Sequence, residues 1–222
     1  MRKLALIVAG GHGSRFGASV PKQFVLLNGK PILFYSLIAF SKVCDDIVVV
    51  ISEDQHKDWK EICKKHNIDI PHRLAKGGDS RSESVINGLE LFSEDGIVAV
   101  HDAARPLISD ELIERSFDHA MKFGNAIPVL RISDSIRKIN GLANQAVNRD
   151  EYRIVQTPQC FNLIELKEAY HNAQDLSQYS DDATLMEKQK IQLFLCEGDA
   201  SNLKVTHAED LTKASFFLTS GS

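Results

Sequence analysis

The chain opens with an apolar run that stops abruptly at a group of glycines. Leu4–Ala9 is entirely apolar, and Gly10, Gly11 and Gly13 follow it. Such a run predicts a buried strand, and the glycines predict a tight turn at its end. Because glycine has no Cβ, backbone N–H groups in the turn can approach a ligand closely. This pattern favours an α/β fold in which the first strand leads into a binding loop.

Two basic residues, Arg15 and Lys22, accompany this loop. Fixed cations beside glycines suit a ligand with several negative charges, and we expect a polyphosphate. The loop is not a Walker loop, because no Gly-Lys-Ser/Thr follows at the required spacing. It is not a dinucleotide fingerprint either, because Gly17 comes one residue late. The alternative is a plain strand-to-helix turn with two surface cations.

The composition is that of a globular protein. Of the 222 residues, 43% are hydrophobic and 25% are charged, which suits one large α/β domain. The net charge of −4 gives no support to a nucleic-acid or anionic-membrane partner. No run approaches the roughly 18 apolar residues of a membrane span. The cysteines form no C-x-x-C pair, which predicts reduced thiols in a cytoplasmic protein; they are Cys44, Cys63, Cys160 and Cys196.

Apolar runs alternate with stretches of helical periodicity. The predicted strands are Leu4–Ala9, Asp46–Ile51, Ile68–Leu74, Ile97–His101, Asn125–Leu130 and Ile191–Cys196. The predicted helices are Pro31–Phe40, Arg81–Phe92, Asp110–Phe123, Asn162–Ala173 and a last one from about Ala208. This alternation predicts one Rossmann-like domain over residues 1–222, with a mostly parallel sheet and helices on both faces.

A polar region at about residues 133–157 interrupts the alternation. Two strand-like pieces, Ser135–Ile139 and Glu151–Gln156, flank a turn at Asn140-Gly141 and predict a projecting β-hairpin arm. A lone hairpin is marginally stable in water, so such an arm needs a surface to pack on. We expect a second copy of the chain, in a two-fold dimer. The alternative is an arm folded back on its own domain.

A third group of residues follows the apolar run Gly96–Val100, in the sequence His101-Asp-Ala-Ala-Arg-Pro106. Ligands of open α/β sheets lie beyond the carboxyl ends of the strands, so Asp102 and Arg105 should face a cleft. A carboxylate there can hold Mg²⁺, with water and phosphate oxygens as the other ligands, and Arg105 could bind a phosphate. The alternative is an N-cap aspartate with an arginine partner.

Two further segments are candidates for contacts with a nucleotide. Lys76–Ser84 contains a second glycine turn, whose small hydroxyl residues suit a base or a ribose. Turn formation and helix capping by Asp79 or Ser80 would explain the same residues. Asn202–Thr206 puts Lys204 in a short extended piece, where a solvated lysine is the alternative.

Taken together, these motifs resemble the cytidylyltransferases of the nucleotide-diphospho-sugar transferase superfamily, and within it the 2-C-methyl-D-erythritol 4-phosphate cytidylyltransferase family. The resemblance covers essentially the whole chain. The motifs that carry it are Ala9-Gly-Gly11, Pro21-Lys-Gln23, His101-Asp-Ala-Ala-Arg-Pro106, Gln156-Thr-Pro-Gln159 and Asn202-Leu-Lys-Val-Thr206.

The resemblance implies Mg²⁺-dependent transfer of CMP from CTP to a sugar-alcohol phosphate, with release of pyrophosphate. Arg15, Lys22 and Lys204 would be the catalytic cations, and Asp102 would lie at the metal. The implied substrate-binding residues are Ala9, Gly10, Gly11 and Gly13 at the triphosphate, Gly77, Asp79, Arg81 and Ser84 around the cytidine, and Arg105, Thr157 and, from the partner's arm, Ser135 and Arg149 at the acceptor.

The chain departs from the family pattern at three places. Gly10 stands where alanine is common, Asn148 precedes Arg149 instead of aspartate, and Ser201 stands where an acidic residue near the metal is expected. The last departure leaves the second metal ligand open. A ribitol 5-phosphate cytidylyltransferase and a non-catalytic nucleotide-binding dimer are the alternative functions. Asp134-Ser-Ile-Arg137 and Ser180-Asp-Asp-Ala183 favour the methylerythritol enzyme over the ribitol enzyme.

Overall fold

A mixed β-sheet runs through the molecule, and the apolar runs of the sequence form its parallel core. The computed structural model of the chain describes residues 1–9 and 20–220. Its strands are β1 (Arg2–Val8), β2 (Leu26–Leu27), β3 (Lys30–Pro31), β4 (Asp46–Ile51), β5 (Arg73–Lys76), β6 (Gly96–Asp102), β7 (Asn125–Arg131), β8 (Arg137–Asn140), β9 (Ala143–Ala146), β10 (Arg153–Val155), β11 (Gln159–Asn162) and β12 (Leu195–Glu197).

The helices of the described residues are α1 (Ile32–Ser41), α2 (His56–Lys65), α3 (Arg81–Leu89), α4 (Asp110–Phe123), α5 (Leu163–His171), α6 (Asp182–Lys188) and α7 (Ala208–Ser220). Short 3-10 turns cover Lys22–Phe24, Glu53–Gln55, Arg149–Glu151 and Leu176–Gln178. None of the helices in residues 1–9 and 20–220 has the length and apolarity that crossing a bilayer requires.

The strand order of the main sheet is β10-β7-β11-β6-β1-β4-β5, with β12 on β7. β6, β1, β4 and β5 are parallel neighbours, whereas β11 is antiparallel to both β6 and β7. The carboxyl ends of the four parallel strands therefore meet at one edge of the sheet. In open α/β sheets this edge is where ligands bind.

Helices cover both faces of this sheet. Along β1, Ala5 and Ile7 pack into a core that includes Trp59 of α2 and Phe117 of α4. Leu4, Leu6 and Val8 point to the opposite core, which contains residues of α3, α5 and α6. Because successive side chains of a strand alternate between faces, a strand buried on both sides must be apolar throughout. The predicted α/β fold is confirmed, with a parallel core in a mixed sheet.

Several predicted element limits change. The strand predicted at Ile191–Cys196 is limited to β12, and the one predicted at Ile68–Leu74 begins only at Arg73. The helix predicted over Arg81–Phe92 ends at Leu89. The sequence did not predict helices α2 and α6. Among the described side chains of α2 only Trp59 is buried, and most of the remaining residues are polar.

The arm contains a hairpin, but the predicted pairing of its strands is wrong. β8 pairs with β9 across a two-residue loop that begins at Gly141, whose φ of +60° suits glycine. The segment predicted as the second strand forms β10, which pairs antiparallel with β7 in the main sheet. Ile154 lies opposite Leu130 there, so apolar neighbours on β7 outcompete the polar β8.

Candidate functional site

The carboxyl edge of the parallel strands brings three of the predicted motifs together. Val8 and Asp102 are register partners on β1 and β6, and Ala9 donates its N–H to the carbonyl of Val50 on β4. The described part of the chain at β1 and Ala9 therefore ends beside Asp102. Gly10, Gly11, Gly13 and Arg15 lie outside the described residues.

Asp102 is the centre of a cluster of charges. Lys204 Nζ lies 2.7 Å from Asp102 Oδ2, and Arg81 Nε lies 3.5 Å from Oδ1. Burial alone would raise the pKa of this carboxyl, but the nearby Arg81 and Lys204 cations hold the pKa of Asp102 well below its usual range. The carboxylate therefore stays ionised at neutral pH, at the position where a metal ligand is expected.

Arg81, the first residue of α3, is shared between two carboxylates. Its Nη2 lies 2.7 Å from Oδ2 of Asp182 on α6, in addition to the longer contact with Asp102. Burial disfavours the charged guanidinium, but the carboxylates of Asp182 and Asp102 outweigh burial and raise the pKa of Arg81. Arg81 thus connects α3, α6 and the sheet edge.

Lys22 and Lys204 meet at one stretch of backbone. Lys22 Nζ donates to the carbonyl of Val205 at 3.0 Å, and Val205 directly follows Lys204. Val205 N in turn donates to the carbonyl of Ala104, in the loop after β6. Two of the three cations predicted for catalysis therefore lie at the same segment beside the loop after β6, and one of them, Lys204, also pairs with Asp102.

Thr157 and His101 support the Asp102 backbone. Asp102 N donates to Thr157 Oγ1 at 3.1 Å, and the hydroxyl donates to His101 Nδ1 at 3.2 Å. His101 Nε2 donates to the carbonyl of Arg105 at 3.2 Å. The ring is neutral in this arrangement, because Nδ1 can accept a hydrogen bond only when it carries no proton. Burial lowers the pKa of His101 to about 4, in agreement with that tautomer. Thr157 therefore holds the end of β6, which carries the metal candidate Asp102.

Arg105 is buried and lies against two backbone carbonyls. Its Nη1 donates to Asn202 at 2.8 Å, and its Nη2 reaches Val155 at 3.5 Å. The Nε atom of Arg105 and the Oδ1 atom of Asn202 are buried without a hydrogen-bond partner among the described residues. The guanidinium thus ties the segment before Lys204 to the end of β10.

The second glycine turn is closed by its own hydrogen bonds. Ser80 caps α3 by accepting from Glu83 N, and Glu83 accepts from Asp79 N at 2.7 Å. Ser84 Oγ donates to the carbonyl of Ser80 and accepts from Gly78 N. A Cβ on Gly78 would lie 2.3 Å from Glu83 Cβ, so the turn requires glycine there. The capping interpretation of Ser80 holds, and Gly77 follows β5 at the same edge as Asp102.

Ser135 and Arg149 lie apart from this cluster. Both are exposed on the arm, and Arg149 donates to the carbonyl of Ser133. Within residues 1–9 and 20–220, no hydrogen bond or ion pair links either of them to Asp102, Arg81 or Lys204.

Sequence reasoning missed two groups of residues that hold the site. Asp182 and Tyr170 support Arg81, with the Tyr170 hydroxyl donating to Asp182 Oδ1 at 2.6 Å. Gln156 holds the loop before Lys204, since its amide accepts from Asp199 N and donates to the carbonyls of Asp199 and Asn202. In the sequence, Asp181 and Asp182 stand out only because they resemble a motif of the family. Two aspartates at the start of a helix are common on protein surfaces, so the sequence does not indicate that Asp182 is buried.

The carboxylate of Asp199 is engaged by hydrogen bonds. It accepts from Ser201 N and Ser201 Oγ in its own loop and from Ser109 Oγ at the start of α4. Across the described part of the chain, no group of three or more His, Cys, Asp or Glu side chains could hold a metal. One ionised carboxylate at an open edge fits Mg²⁺, which takes most of its other ligands from water and phosphates. Asp102 thus suits a metal that arrives with the nucleotide.

The comparisons with known proteins agree with this geometry. A family model described as 2-C-methyl-D-erythritol 4-phosphate cytidylyltransferase matches residues 4–220. The Bacteroides fragilis protein of that name is 39% identical over 98% of this chain and 100% of its own length. The one from Porphyromonas gingivalis is 41% identical over 99% of each chain.

Solved structures give the same result. The crystal structure of 2-C-methyl-D-erythritol 4-phosphate cytidylyltransferase from Thermus thermophilus superposes with a TM-score of 0.81 at 30% identity, covering 96% of this chain and 98% of the other. The Anaerococcus prevotii 4-diphosphocytidyl-2C-methyl-D-erythritol synthase gives 0.84 at 26% identity, covering 98% and 96%. The matches in sequence and fold span nearly the whole chain, and we conclude that it belongs to the 2-C-methyl-D-erythritol 4-phosphate cytidylyltransferase family.

Proposed function

We propose that this chain transfers CMP from CTP to 2-C-methyl-D-erythritol 4-phosphate. The products are 4-diphosphocytidyl-2-C-methyl-D-erythritol and pyrophosphate, and the reaction belongs to non-mevalonate isoprenoid biosynthesis. The observation that carries this proposal is the ion pair of Lys204 with the Asp102 carboxylate at the carboxyl edge of the sheet, with Lys22 bound to the carbonyl of Val205, the residue after Lys204.

The chemistry needs positive charge more than it needs a base. The nucleophile is an oxygen of a phosphate monoester, which is already ionised at neutral pH. The obstacle is the approach of this dianion to an anionic α-phosphorus, while more negative charge develops on the departing pyrophosphate. Positioned cations lower such a barrier because they are already in place when the charge develops.

In this proposal each cation binds a different part of the triphosphate. Lys204 leaves Asp102 to contact the α-phosphate, and Lys22 and Arg15 hold the remaining phosphates with the backbone of Ala9, Gly10, Gly11 and Gly13. A Mg²⁺ ion at Asp102 would neutralise phosphate charge and orient the pyrophosphate that leaves. The side chain of Lys204 is half exposed and its stem is flexible, so the ammonium group can move from Asp102 to the α-phosphate.

The remaining predicted residues bind the two organic groups. Gly77, Asp79, Arg81 and Ser84 surround the cytidine, at the carboxyl end of β5 and the start of α3. Arg105 and Thr157 lie on the acceptor side. Ser135 and Arg149 reach the acceptor of a second copy of the chain from the arm.

A homodimer is therefore part of the proposal. The arm and its return expose large apolar side chains, namely Ile139, Leu142, Tyr152, Ile154 and Val155. Monomeric proteins rarely expose apolar side chains in a group, and a group of this kind usually marks an interface. A cytoplasmic location is also proposed, and the four cysteines, which are free thiols, support it.

Pyrophosphate release tests the function directly. The full-length chain is incubated with CTP, Mg²⁺ and 2-C-methyl-D-erythritol 4-phosphate, with ribitol 5-phosphate as the rival acceptor and with ATP, GTP and UTP as rival donors. We expect release only with CTP and the methylerythritol acceptor. Faster turnover of ribitol 5-phosphate would favour the ribitol function, and CTP binding without turnover would favour a non-catalytic dimer.

A further inference from the structure

Arg81 makes two contacts of different quality. Its Nη2 donates to Asp182 Oδ2 at 2.7 Å, which is a normal charge-assisted hydrogen bond. Its Nε lies 3.5 Å from Asp102 Oδ1, which is an ion pair beyond hydrogen-bond length. Arg81 is thus held by Asp182 and only approaches Asp102. The Oδ1 atom of Asp102 keeps its lone pairs for another cation.

Asp182 cannot follow Arg81 toward Asp102, because its own position is fixed. Its side chain is completely buried, and its second oxygen accepts the Tyr170 hydroxyl at 2.6 Å. Burial together with Asp182 raises the pKa of Tyr170, so the hydroxyl remains a donor. A buried carboxylate stays charged only when paired, and Arg81 and Tyr170 are its partners.

The helix that carries Asp182 is also fixed at its start. Asp181 caps α6 by accepting from Thr184 N, and Gln159 Nε2 donates to the other Asp181 oxygen at 2.7 Å. Gln159 Oε1 accepts from Ala183 N at 2.8 Å, so one amide of β11 bonds both sides of Asp182. These hydrogen bonds fix the first turn of α6 and therefore the position of the Asp182 carboxylate.

The ion pairs around Arg81 contain two negative and two positive side chains. Asp182 and Asp102 face Arg81 and Lys204 in the order Asp182, Arg81, Asp102, Lys204. If Asp182 lost its charge, Arg81 would have only Asp102 as an anionic partner and would close the 3.5 Å gap. Asp102 would then carry two cations at hydrogen-bond distance, and a divalent cation would have to displace one of them.

We propose that Asp182 is a positioning residue that retains Arg81 and thereby keeps the Asp102 carboxylate available for the divalent cation that accompanies the nucleotide. This inference rests on the proposed function, in which Asp102 is the metal ligand. Asp182 touches neither the metal nor the nucleotide in this assignment, since it acts through Arg81 alone. Tyr170 and Gln159 take part by holding Asp182.

The test measures metal binding without turnover. Mn²⁺ is titrated into the full-length protein with CTP and no acceptor, and the signal of free aqueous Mn²⁺ is followed by electron paramagnetic resonance. We expect Asp182→Asn to weaken Mn²⁺ binding about tenfold or more, as the loss of an outer-shell partner does at metal sites. Asp182→Glu keeps the charge and should retain most of the affinity.

Glu187→Gln is the matched control, because it removes one carboxylate from an exposed position of the same helix. It should leave Mn²⁺ binding unchanged. If Asp182→Asn melts at a lower temperature but binds Mn²⁺ like the wild type, or if Asp182→Glu loses as much affinity as Asp182→Asn, the proposal is overturned. Failure of the proposed function looks different: wild-type protein would release no pyrophosphate, or Asp102→Asn would bind Mn²⁺ normally.

A measurement on the wild-type chain covers the case in which the Asp182 variants do not fold. The guanidinium ¹⁵N and proton signals of Arg81 are recorded with and without Mg²⁺ and CTP. We expect hindered rotation and slow proton exchange at Nη2 in both states, because the bond to Asp182 persists when the metal binds. Loss of that protection on addition of Mg²⁺ and CTP would show that Arg81 leaves Asp182, and the proposal would be wrong.

Discussion

The carboxyl edge of the sheet and the arm differ in how their polar groups are supported. At the edge, buried or partly buried side chains such as Asp182, Arg81 and Asp102 satisfy one another through charge. On the arm, β8 and β9 are exposed along their whole length and pair with each other. The edge is organised within one chain, whereas the β8–β9 hairpin gains little from its own domain. This difference predicts that the chemistry resides at the edge and that the arm depends on a partner.

The largest expected difference between the sheet edge and the arm is the effect on turnover of removing a lysine from each. Lys22→Ala and Lys204→Ala should each lower kcat by about 100- to 1,000-fold, with a smaller effect on KM, because fixed positive charge acts mainly on the transition state. Lys138→Ala, on the exposed strand β8, is the matched variant and should change kcat by about twofold at most. Steady-state kinetics of pyrophosphate release measure all three. Near-normal turnover of Lys22→Ala would remove Lys22 from the mechanism.

Acid should weaken the edge and spare the arm. Burial lowers the pKa of His101 to about 4, so the folded chain keeps this ring neutral while the unfolded chain protonates it near pH 6.5. The free energy of unfolding therefore does not depend on the titration of His101 above about pH 6.5. Between that pH and about pH 4 it falls by roughly 1.4 kcal/mol per pH unit, because protonation of the ring favours the unfolded chain. Residues 133–157 contain no histidine.

Urea unfolding between pH 7 and pH 4.5 checks this sign. The variant His101→Gln should be less stable at pH 7, since it loses the bonds to Thr157 and Arg105, but its stability should fall less steeply with acid. A slope equal to that of the wild type would mean that another group causes the acid sensitivity.

Two glycines allow the packing of the two regions to be compared. A Cβ on Gly88 of α3 would lie 2.3 Å from Leu6 Cδ1 and 2.7 Å from Val50 Cγ2, so the helix rests directly on β1 and β4. Gly88→Ala should therefore lower the free energy of unfolding by about 1–3 kcal/mol through overpacking. A Cβ on Gly141 of the arm meets nothing within 4 Å, and the cost of Gly141→Ala comes only from its φ of +60°.

Thermal denaturation of both variants measures the contrast. Gly88→Ala should lower Tm clearly, while Gly141→Ala should leave the melting of the domain nearly unchanged, because β8 and β9 contribute little to the core. A larger loss of Tm in Gly141→Ala would mean that the arm stabilises the domain within one chain.

The sequence predicted best where burial leaves a local pattern. β4 and α4 have the predicted limits, and β1 keeps the predicted apolar run but begins two residues earlier, at Arg2, and ends one residue earlier, at Val8. The contact between Arg81 and Asp182 spans 101 positions and joins two polar residues, so no local pattern indicates it. β10 was placed in the hairpin for a similar reason: its partner β7 is chosen by the folded sheet. Family motifs named Lys22, Asp102 and Lys204, but only the fold connects them.

The smallest expected effect concerns the apolar surface of the arm. Ile139→Ser should raise the dissociation constant of the dimer about tenfold, because it truncates an apolar side chain, 66% exposed in the protomer, at the proposed interface. Ile164→Ser, on α5 outside the arm and 50% exposed, is the control and should not change association. Light scattering over a range of concentrations measures both. If Ile139→Ser lowers Tm at dilution and leaves association intact, the arm packs on its own domain, and the contrast between the two regions disappears.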